Sequence, residues 1–191
     1  MDVNGSLFPG QALAMAPSRP KERDDEFIRF AATVLAERVR VHIGDDDFAE
    51  TLEEIADDIE SAMSCSAWDG YELARNLDSH GYNPDAGLVE ILDDAGDLVR
   101  QAHTKAVRQW VAHYGLTLKL AIGQQVTVLN RGQSIAGTVA KLLPCTAQYA
   151  IHVPGLASAS QPGVTHVGRI FNAEDVEAIN DPGEWGWKQV A

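Results

Sequence analysis

The sequence predicts an α+β protein, in which an N-terminal helical bundle of about four helices is followed by a small β-barrel. Apolar residues recur every three or four positions between residues 24 and 114, as in amphipathic helices. Beyond Leu116 the pattern changes to short alternating runs separated by glycine and proline, which is typical of short strands. The charge divides at the same point, since residues 1–115 hold 23 acidic and 10 basic residues and residues 116–191 hold 5 of each.

These changes define four segments of the chain. We expect a flexible N-terminal arm over residues 1–20 and an acidic helical domain over residues 21–115. The barrel should occupy residues 116–184, and residues 185–191 form a C-terminal tail. The arm mixes glycine, proline and small apolar residues without the basic start of a signal peptide, so we expect no secretory signal.

The first two helices are predicted from their apolar spacing. The first should span residues 24–41, with acidic residues in its first turn and Gly44 after its end. The second should begin at the cluster of Asp45, Asp46 and Asp47 and run to about Met63. Its predicted apolar stripe consists of Phe48, Leu52, Ile55, Ile59 and Met63. The opposite side of this helix is acidic, so one side should be buried and the other exposed.

The third and fourth helices are predicted from their start signals. Residues 66–69 have the pattern of a capping box, so a helix should follow, with Tyr71, Leu73, Ala74 and Leu77 in the core. Residues 83–85, Asn-Pro-Asp, start a fourth helix that should run without interruption to about Tyr114. Its apolar stripe consists of Leu88, Leu92, Ala95, Val99, Ala102, Ala106 and Trp110.

Short β-like runs follow in the last third of the chain. Strands are expected over residues 125–129, 135–143, 148–153, 164–171 and 176–179. The second should be broken at Gly137, and a short helical turn should occupy residues 172–174. Short strands separated by turn signals predict a small closed barrel.

The C-terminal part resembles an SH3-like small barrel of the kind found in translation, transcription and phage accessory proteins. The resemblance rests on residues 122–129, Gly137-Thr138-Val139, residues 149–153 and residues 171–179. Nucleic-acid-binding members of this group display lysine and arginine on their loops. Here the barrel carries few lysines and arginines besides Arg131, Lys141 and Arg169, which argues against direct nucleic-acid binding.

The helical part is similar to acidic helical accessory proteins of phages and mobile elements. Residues 68–74 and 88–93 carry this likeness. It implies an anti-defence role, in which a phage-encoded protein blocks a host complex such as a CRISPR effector.

An acidic surface is the main candidate for a functional site. Residues 45–97 contain 17 acidic residues and one basic residue, Arg75. Such a surface repels phosphates and attracts a basic groove of another protein or of a nucleoprotein complex, which it could occupy as a nucleic-acid mimic. The alternative is a solvated face that only keeps the protein soluble. The predicted binding residues are Asp46, Asp47, Glu50, Glu53, Glu54, Asp57, Asp58, Glu60, Glu90, Asp93, Asp94 and Asp97.

Other classes of function find little support in the sequence. No nucleophile, phosphate-binding or dinucleotide motif occurs, so we expect no enzyme, no catalytic residue and no cofactor. The histidines and the two cysteines, Cys65 and Cys145, lack metal-ligand spacing, and free thiols suit a cytoplasmic protein. No apolar run is long enough to cross a membrane. Two alternatives remain open: a nucleic-acid- or ribosome-associated accessory protein that uses the barrel, and a structural module that forms homo-oligomers through the fourth helix.

Overall fold

The computed structural model describes residues 18–44, 51–65, 68–130, 132–154 and 168–179. Within these ranges the helices are α1 (Asp25–Ile43), α2 (Leu52–Cys65), α3 (Gly70–Asp78), α4 (Ala86–Asp93) and α5 (Ala95–His113). The strands are β1 (Gln125–Asn130), β2 (Gln133–Leu143), β3 (Gln148–His152), β4 (Arg169–Asn172) and β5 (Val176–Ala178). The predicted α+β class is therefore confirmed. The chain divides into two compact units at Trp110, and each is described by itself.

The helical unit, Ser18–Trp110, is built around one apolar core. Leu35 and Val39 of α1 are fully buried, and so are Ile55 and Ile59 of α2, against which α1 packs. The predicted stripe of the fourth helix is also part of this core, because Leu88, Leu92, Ala95 and Val99 are buried there. Ala102 and Ala106, further along the same stripe, are only half-buried.

The starts of α2 and α3 correct the sequence interpretation. α2 begins at Leu52 and not at Asp45, because Thr51 caps it. α3 begins at Gly70, and its N-cap is Asp69, whose carboxylate accepts a hydrogen bond from the Glu72 amide at 3.1 Å. The capping signal therefore lies three residues later than predicted. Tyr71, which we expected in the core, is 64% exposed because the buried face of α3 runs through Leu73, Ala74 and Leu77.

The predicted fourth helix is two helices that meet at Asp94. This residue has φ −73° and ψ −9°, and the near-zero ψ interrupts the regular backbone ladder between α4 and α5. The apolar spacing continues through the break, which is why periodicity alone predicted one long helix. Arg38 of α1 binds the Asp94 carboxylate at this junction.

The second unit contains a five-stranded antiparallel sheet with the order β4-β3-β2-β1-β5, curled into a half-barrel. Alternate residues of the strands point inward, and the core contains Val126, Val128, Val139, Tyr149 and Ile151. A 3₁₀ turn over Ala173–Asp175 precedes β5, as the sequence predicted, and returns the chain to pair with β1.

Two predictions about the strands need revision. β2 is not broken at Gly137; it continues through that residue, and the irregularity lies between Val139 and Lys141. Gly137 is needed for close packing instead, since a Cβ there would lie 2.6 Å from Cγ2 of Ile151. β4 begins at Arg169 within the described residues, and the predicted start of that strand lies outside them, as do most of the arm and all of the tail.

Candidate protein-binding surface

The acidic residues of α2 occupy three different environments. Glu53 and Glu54 are exposed in its first turn, beside Thr51. Glu54 accepts hydrogen bonds from the Thr51 amide at 2.8 Å and the Thr51 hydroxyl at 2.9 Å, which completes a capping box. These hydrogen bonds from Thr51, that of its amide above all, lower the pKa of the Glu54 carboxyl. Glu54 is therefore charged and partly committed to holding the helix start.

Asp57 and Glu60 lie on the flank of α2 that faces α1. Both accept hydrogen bonds from the Arg29 guanidinium, and the Nη1–Oε2 distance to Glu60 is 2.9 Å. The pKa of Arg29 is raised above its ordinary value because these carboxylates, first Asp57 and then Glu60, accept its protons. One arginine thus shares its charge between two carboxylates, so this flank stays negative.

Asp58 faces the turn between α3 and α4. Its Oδ1 lies 2.8 Å from Nδ1 of His80, and its Oδ2 accepts a hydrogen bond from the Tyr82 hydroxyl at 3.3 Å. Tyr82 is 1% exposed, so its ring is part of the core while its hydroxyl reaches this carboxylate. Asp58 consequently holds the turn against α2, so it stabilises the fold in addition to contributing charge to the surface.

Arginines bind two acidic residues at and after the junction of α4 and α5. Asp94 is bound by Arg38 at 2.6 Å, and Asp97 is bound by Arg100 one turn later in α5. Arg29 and Arg38 are nine positions apart on α1, which places them about half a turn out of phase. The carboxylates that Arg29 binds and the Asp94 carboxylate that Arg38 binds therefore lie on different flanks of α1.

Asp93 is committed to the start of α3. Its Oδ1 accepts a hydrogen bond from the Gly70 amide at 2.7 Å. Gly70 leaves room for this contact, because a Cβ there would lie 2.4 Å from the Val89 carbonyl oxygen and 2.5 Å from Oδ1 of Asp93. Two carboxylates, Asp69 and Asp93, thus cap the amides at the N-terminus of α3.

Among the predicted binding residues that the structure describes, Glu53 and Glu90 are the two for which it shows no partner. Both are exposed, and within the described ranges neither carboxylate takes part in an ion pair or a side-chain hydrogen bond. Asp46, Asp47 and Glu50 lie outside the described residues.

The start of α4 carries a histidine–carboxylate contact that sequence reasoning missed. Asp85 caps α4 by accepting a hydrogen bond from the Leu88 amide at 2.8 Å, and Nε2 of His42 lies 2.9 Å from the same oxygen. The pKa of Asp85 is lowered, first by the Leu88 amide and then by His42. Gly87 makes this contact possible, since a Cβ there would lie 2.4 Å from Cε1 of His42.

The cationic partners of the acidic groups were not identified from the sequence. Arg29 is 28 residues from Asp57, and Arg38 is 56 residues from Asp94, so no local spacing connects them. The signal that was available is the position of the two arginines at opposite edges of the buried stripe of α1, where neighbouring acidic helices would meet them.

Other kinds of site are not seen in the described part of the chain. No group of three or more histidine, cysteine, aspartate or glutamate side chains comes together there as a metal site would require. Cys65 and Cys145 are both exposed free thiols. Among the helices searched, none is both long and apolar enough to traverse a lipid bilayer.

Comparisons of the chain with protein-family models, with curated proteins and with solved structures find no match.

Proposed function

We propose that this chain is a non-enzymatic binding protein whose acidic helical unit engages a basic groove of another protein or of a nucleoprotein complex. The observation that carries the proposal is the imbalance of charge that remains after pairing. The described residues between 51 and 97 carry 13 carboxylates and one arginine. Three arginines from elsewhere join Arg75 in ion pairs with this segment, namely Arg29, Arg38 and Arg100.

Ion pairing reduces this array without cancelling it. Arg29 is shared by two carboxylates, and the pairs are exposed, so water and salt screen them and their contribution to folding is small. Glu53 and Glu90 add charge that no described cation offsets. A basic partner therefore meets a negative potential on two flanks of α1, centred on α2 and on the junction of α4 and α5.

Within this class we propose nucleic-acid mimicry as the mode of action. A groove that binds DNA or RNA presents lysines and arginines to the phosphates of the backbone. Carboxylates along short helices can bind the same lysines and arginines in place of the phosphates. A phage-encoded inhibitor of a host defence complex, acting in the cytoplasm in the manner of an anti-CRISPR protein, would use such a surface. The exposed thiols of Cys65 and Cys145 suit a reducing compartment.

We also propose that the second unit is an SH3-like barrel. The strand order β4-β3-β2-β1-β5 and the 3₁₀ turn before β5 support this assignment, because they match the small-barrel plan that the sequence resembles. Lys119, Lys141 and Arg169 are its exposed cations within the described ranges, so the barrel offers little to a polyanion. It is the acidic helical unit that supports partner binding.

A capture and displacement experiment tests the proposal. The full chain is immobilised, partners are captured from a lysate of the host cell, and bound protein is challenged with duplex DNA, RNA and increasing salt. We expect a basic partner that nucleic acid displaces and that is lost as salt rises to about 0.5 M. Partners that neither nucleic acid nor salt can displace would refute nucleic-acid mimicry.

Matched charge variants locate the surface. We expect Glu53→Gln combined with Glu90→Gln to weaken capture, because both carboxylates are exposed and unpaired among the described residues. Glu177→Gln in β5 is the control, since it removes an exposed carboxylate from the other unit. Equal weakening by Glu177→Gln would show that overall charge, and not the helical surface, governs binding.

A further inference from the structure

The outward face of α5 carries two cations that have no partner among the described residues. Lys105 and Arg108 are exposed, and among the described residues neither takes part in an ion pair, a hydrogen bond or a ring contact. Arg100, on the same face, is already bound to Asp97. Gln101, Thr104 and Gln109 fill the spaces between them, so this face is polar and mildly basic. It contrasts with the acidic surface of α2 and α4 in the same unit.

A groove with both apolar and polar lining residues runs beside this basic face. Ala102 and Ala106 form part of its floor, and Phe30 of α1 stands in it with 48% of its surface exposed. Lys105 borders the groove on the α5 side, and Glu26 borders it on the α1 side. A ligand that suits the groove therefore combines one apolar side chain with negative charge directed at Lys105.

The N-terminal end of α2 has this combination of properties. Leu52 is 40% exposed although it belongs to a helix whose other apolar residues are buried. Glu53 follows it, exposed and unpaired within the described residues, and the acidic side chain of Glu54 comes next. One exposed leucine next to two carboxylates is complementary to one exposed phenylalanine next to Lys105, with Arg108 further along the same face of α5.

We propose that the basic face of α5 and the Phe30 groove bind the start of α2 in a second copy of this chain. Leu52 of the second copy packs against Phe30, and Glu53 of that copy lies opposite Lys105 and Arg108. The two surfaces of one copy are different, so the contact is head-to-tail, and a pair of copies keeps one free surface of each kind.

A second copy fits this face better than nucleic acid does. Glu26 and Asp97 lie at the edges of the face and would repel a continuous row of phosphates. Phe30 and the two alanines offer apolar contact, which a phosphate backbone cannot use. The inference goes beyond the proposed function, because self-association needs no basic partner from the host.

Sedimentation velocity of the full chain tests the proposal. We expect the average mass to rise with protein concentration at about 50 mM salt and to return to the monomer value at about 300 mM salt, where the screening length falls to roughly 5–6 Å. The double variant Lys105→Glu/Arg108→Glu should remain monomeric, and so should Glu53→Lys. Lys141→Glu in the barrel reverses an exposed charge outside the face and should associate like the wild type.

Mixing the two charge-reversed proteins decides between a specific contact and general repulsion. Glu53→Lys should associate with Lys105→Glu/Arg108→Glu, because the mixture offers both the reversed pair and one wild-type pair of opposite charges, while each variant alone does not associate. Circular dichroism confirms that both are folded, and Lys105→Gln/Arg108→Gln serves if the double reversal does not fold. A wild type that is monomeric at all concentrations, or a mixture that fails to associate, overturns the proposal. Duplex DNA that binds the wild type and not the double variant would assign the face to a polyanion and also overturn it.

Discussion

Replacement of Asp93 by alanine separates the structural from the binding role of an acidic residue. The Asp93 carboxylate accepts a hydrogen bond from the Gly70 amide at 2.7 Å, so it holds the first turn of α3 against α4. Alanine removes the only side-chain acceptor that this amide has within the described residues. We expect the substitution to destabilise the helical unit even though Asp93 is exposed.

The magnitude follows from the type of hydrogen bond that is lost. Leaving a backbone donor without its charged acceptor costs about 1–3 kcal/mol when the donor is buried, and this bond is part-buried, so we expect about 1–2 kcal/mol. For a unit of roughly 90 residues, each kcal/mol lowers the melting temperature by about 4–8 °C. Gly70→Ala should cost a similar amount, since its methyl group would lie 2.4 Å from the Val89 carbonyl oxygen.

Urea unfolding followed by tryptophan fluorescence measures this change, because Trp68 and Trp110 both belong to the helical unit. Glu90→Ala is the matched control: it removes the same charge from α4 at an exposed position without a described partner, and it should change the free energy of unfolding by less than about 0.5 kcal/mol. Equal effects of Asp93→Ala and Glu90→Ala would refute the reasoning and would leave Asp93 free for a partner.

Three further predictions concern the core, the sheet and pH. Leu35→Ala, at a fully buried position of α1, should lower the free energy of unfolding by about 2–5 kcal/mol in urea titrations; a loss below 1 kcal/mol would contradict the described core. Gly137→Ala should cost about 1–3 kcal/mol, and Ile151→Ala in the same chain should offset part of that cost in a double-mutant cycle, whereas strict additivity would exclude their contact. The lowered pKa of Asp85 means that its contribution to stability is complete above its unfolded pKa of about 3.9 and is lost as pH falls through the folded pKa. As pH is lowered from about 6 to 2, the free energy of unfolding of Asp85→Asn should therefore fall less steeply than that of the wild type. Identical slopes for the two proteins would contradict a stabilising role of the Asp85 charge.

Periodicity predicted which residues form the cores, because burial depends on local spacing. Ile55, Ile59 and Met63 of α2 are buried as the three-to-four spacing requires, and the strands that begin at Gln125 and Gln148 start where alternation placed them. Helix ends were less predictable. Several oxygen-bearing side chains near each start could cap it, and tertiary contacts decide which one does.

The placement of the acidic residues could not be predicted in full. Their number and their concentration in residues 45–97 are visible in the sequence, and so is their exposure. Their division between two flanks of α1 depends on how distant helices pack, and Arg29 and Arg38 each contact an acidic group far along the chain. A helical wheel of α2 alone shows an uninterrupted acidic face, whereas the folded unit has arginines at its edges.

The charged side chains of the helical unit that form no ion pair among the described residues are separated by sign. Lys105 and Arg108 on α5 and Glu53 and Glu90 on α2 and α4 are opposite charges that stay apart within one unit, although several other pairs in it are closed. A surface that served solubility alone would gain nothing from such separation, since interspersed charges solubilise as well. Separated charges instead create a potential that extends about one screening length, roughly 8 Å at physiological salt, and attracts complementary surfaces. Association of any kind by this unit should therefore weaken with salt, and salt-independent binding at the helical surface would contradict both the proposed partner and the proposed contact between copies.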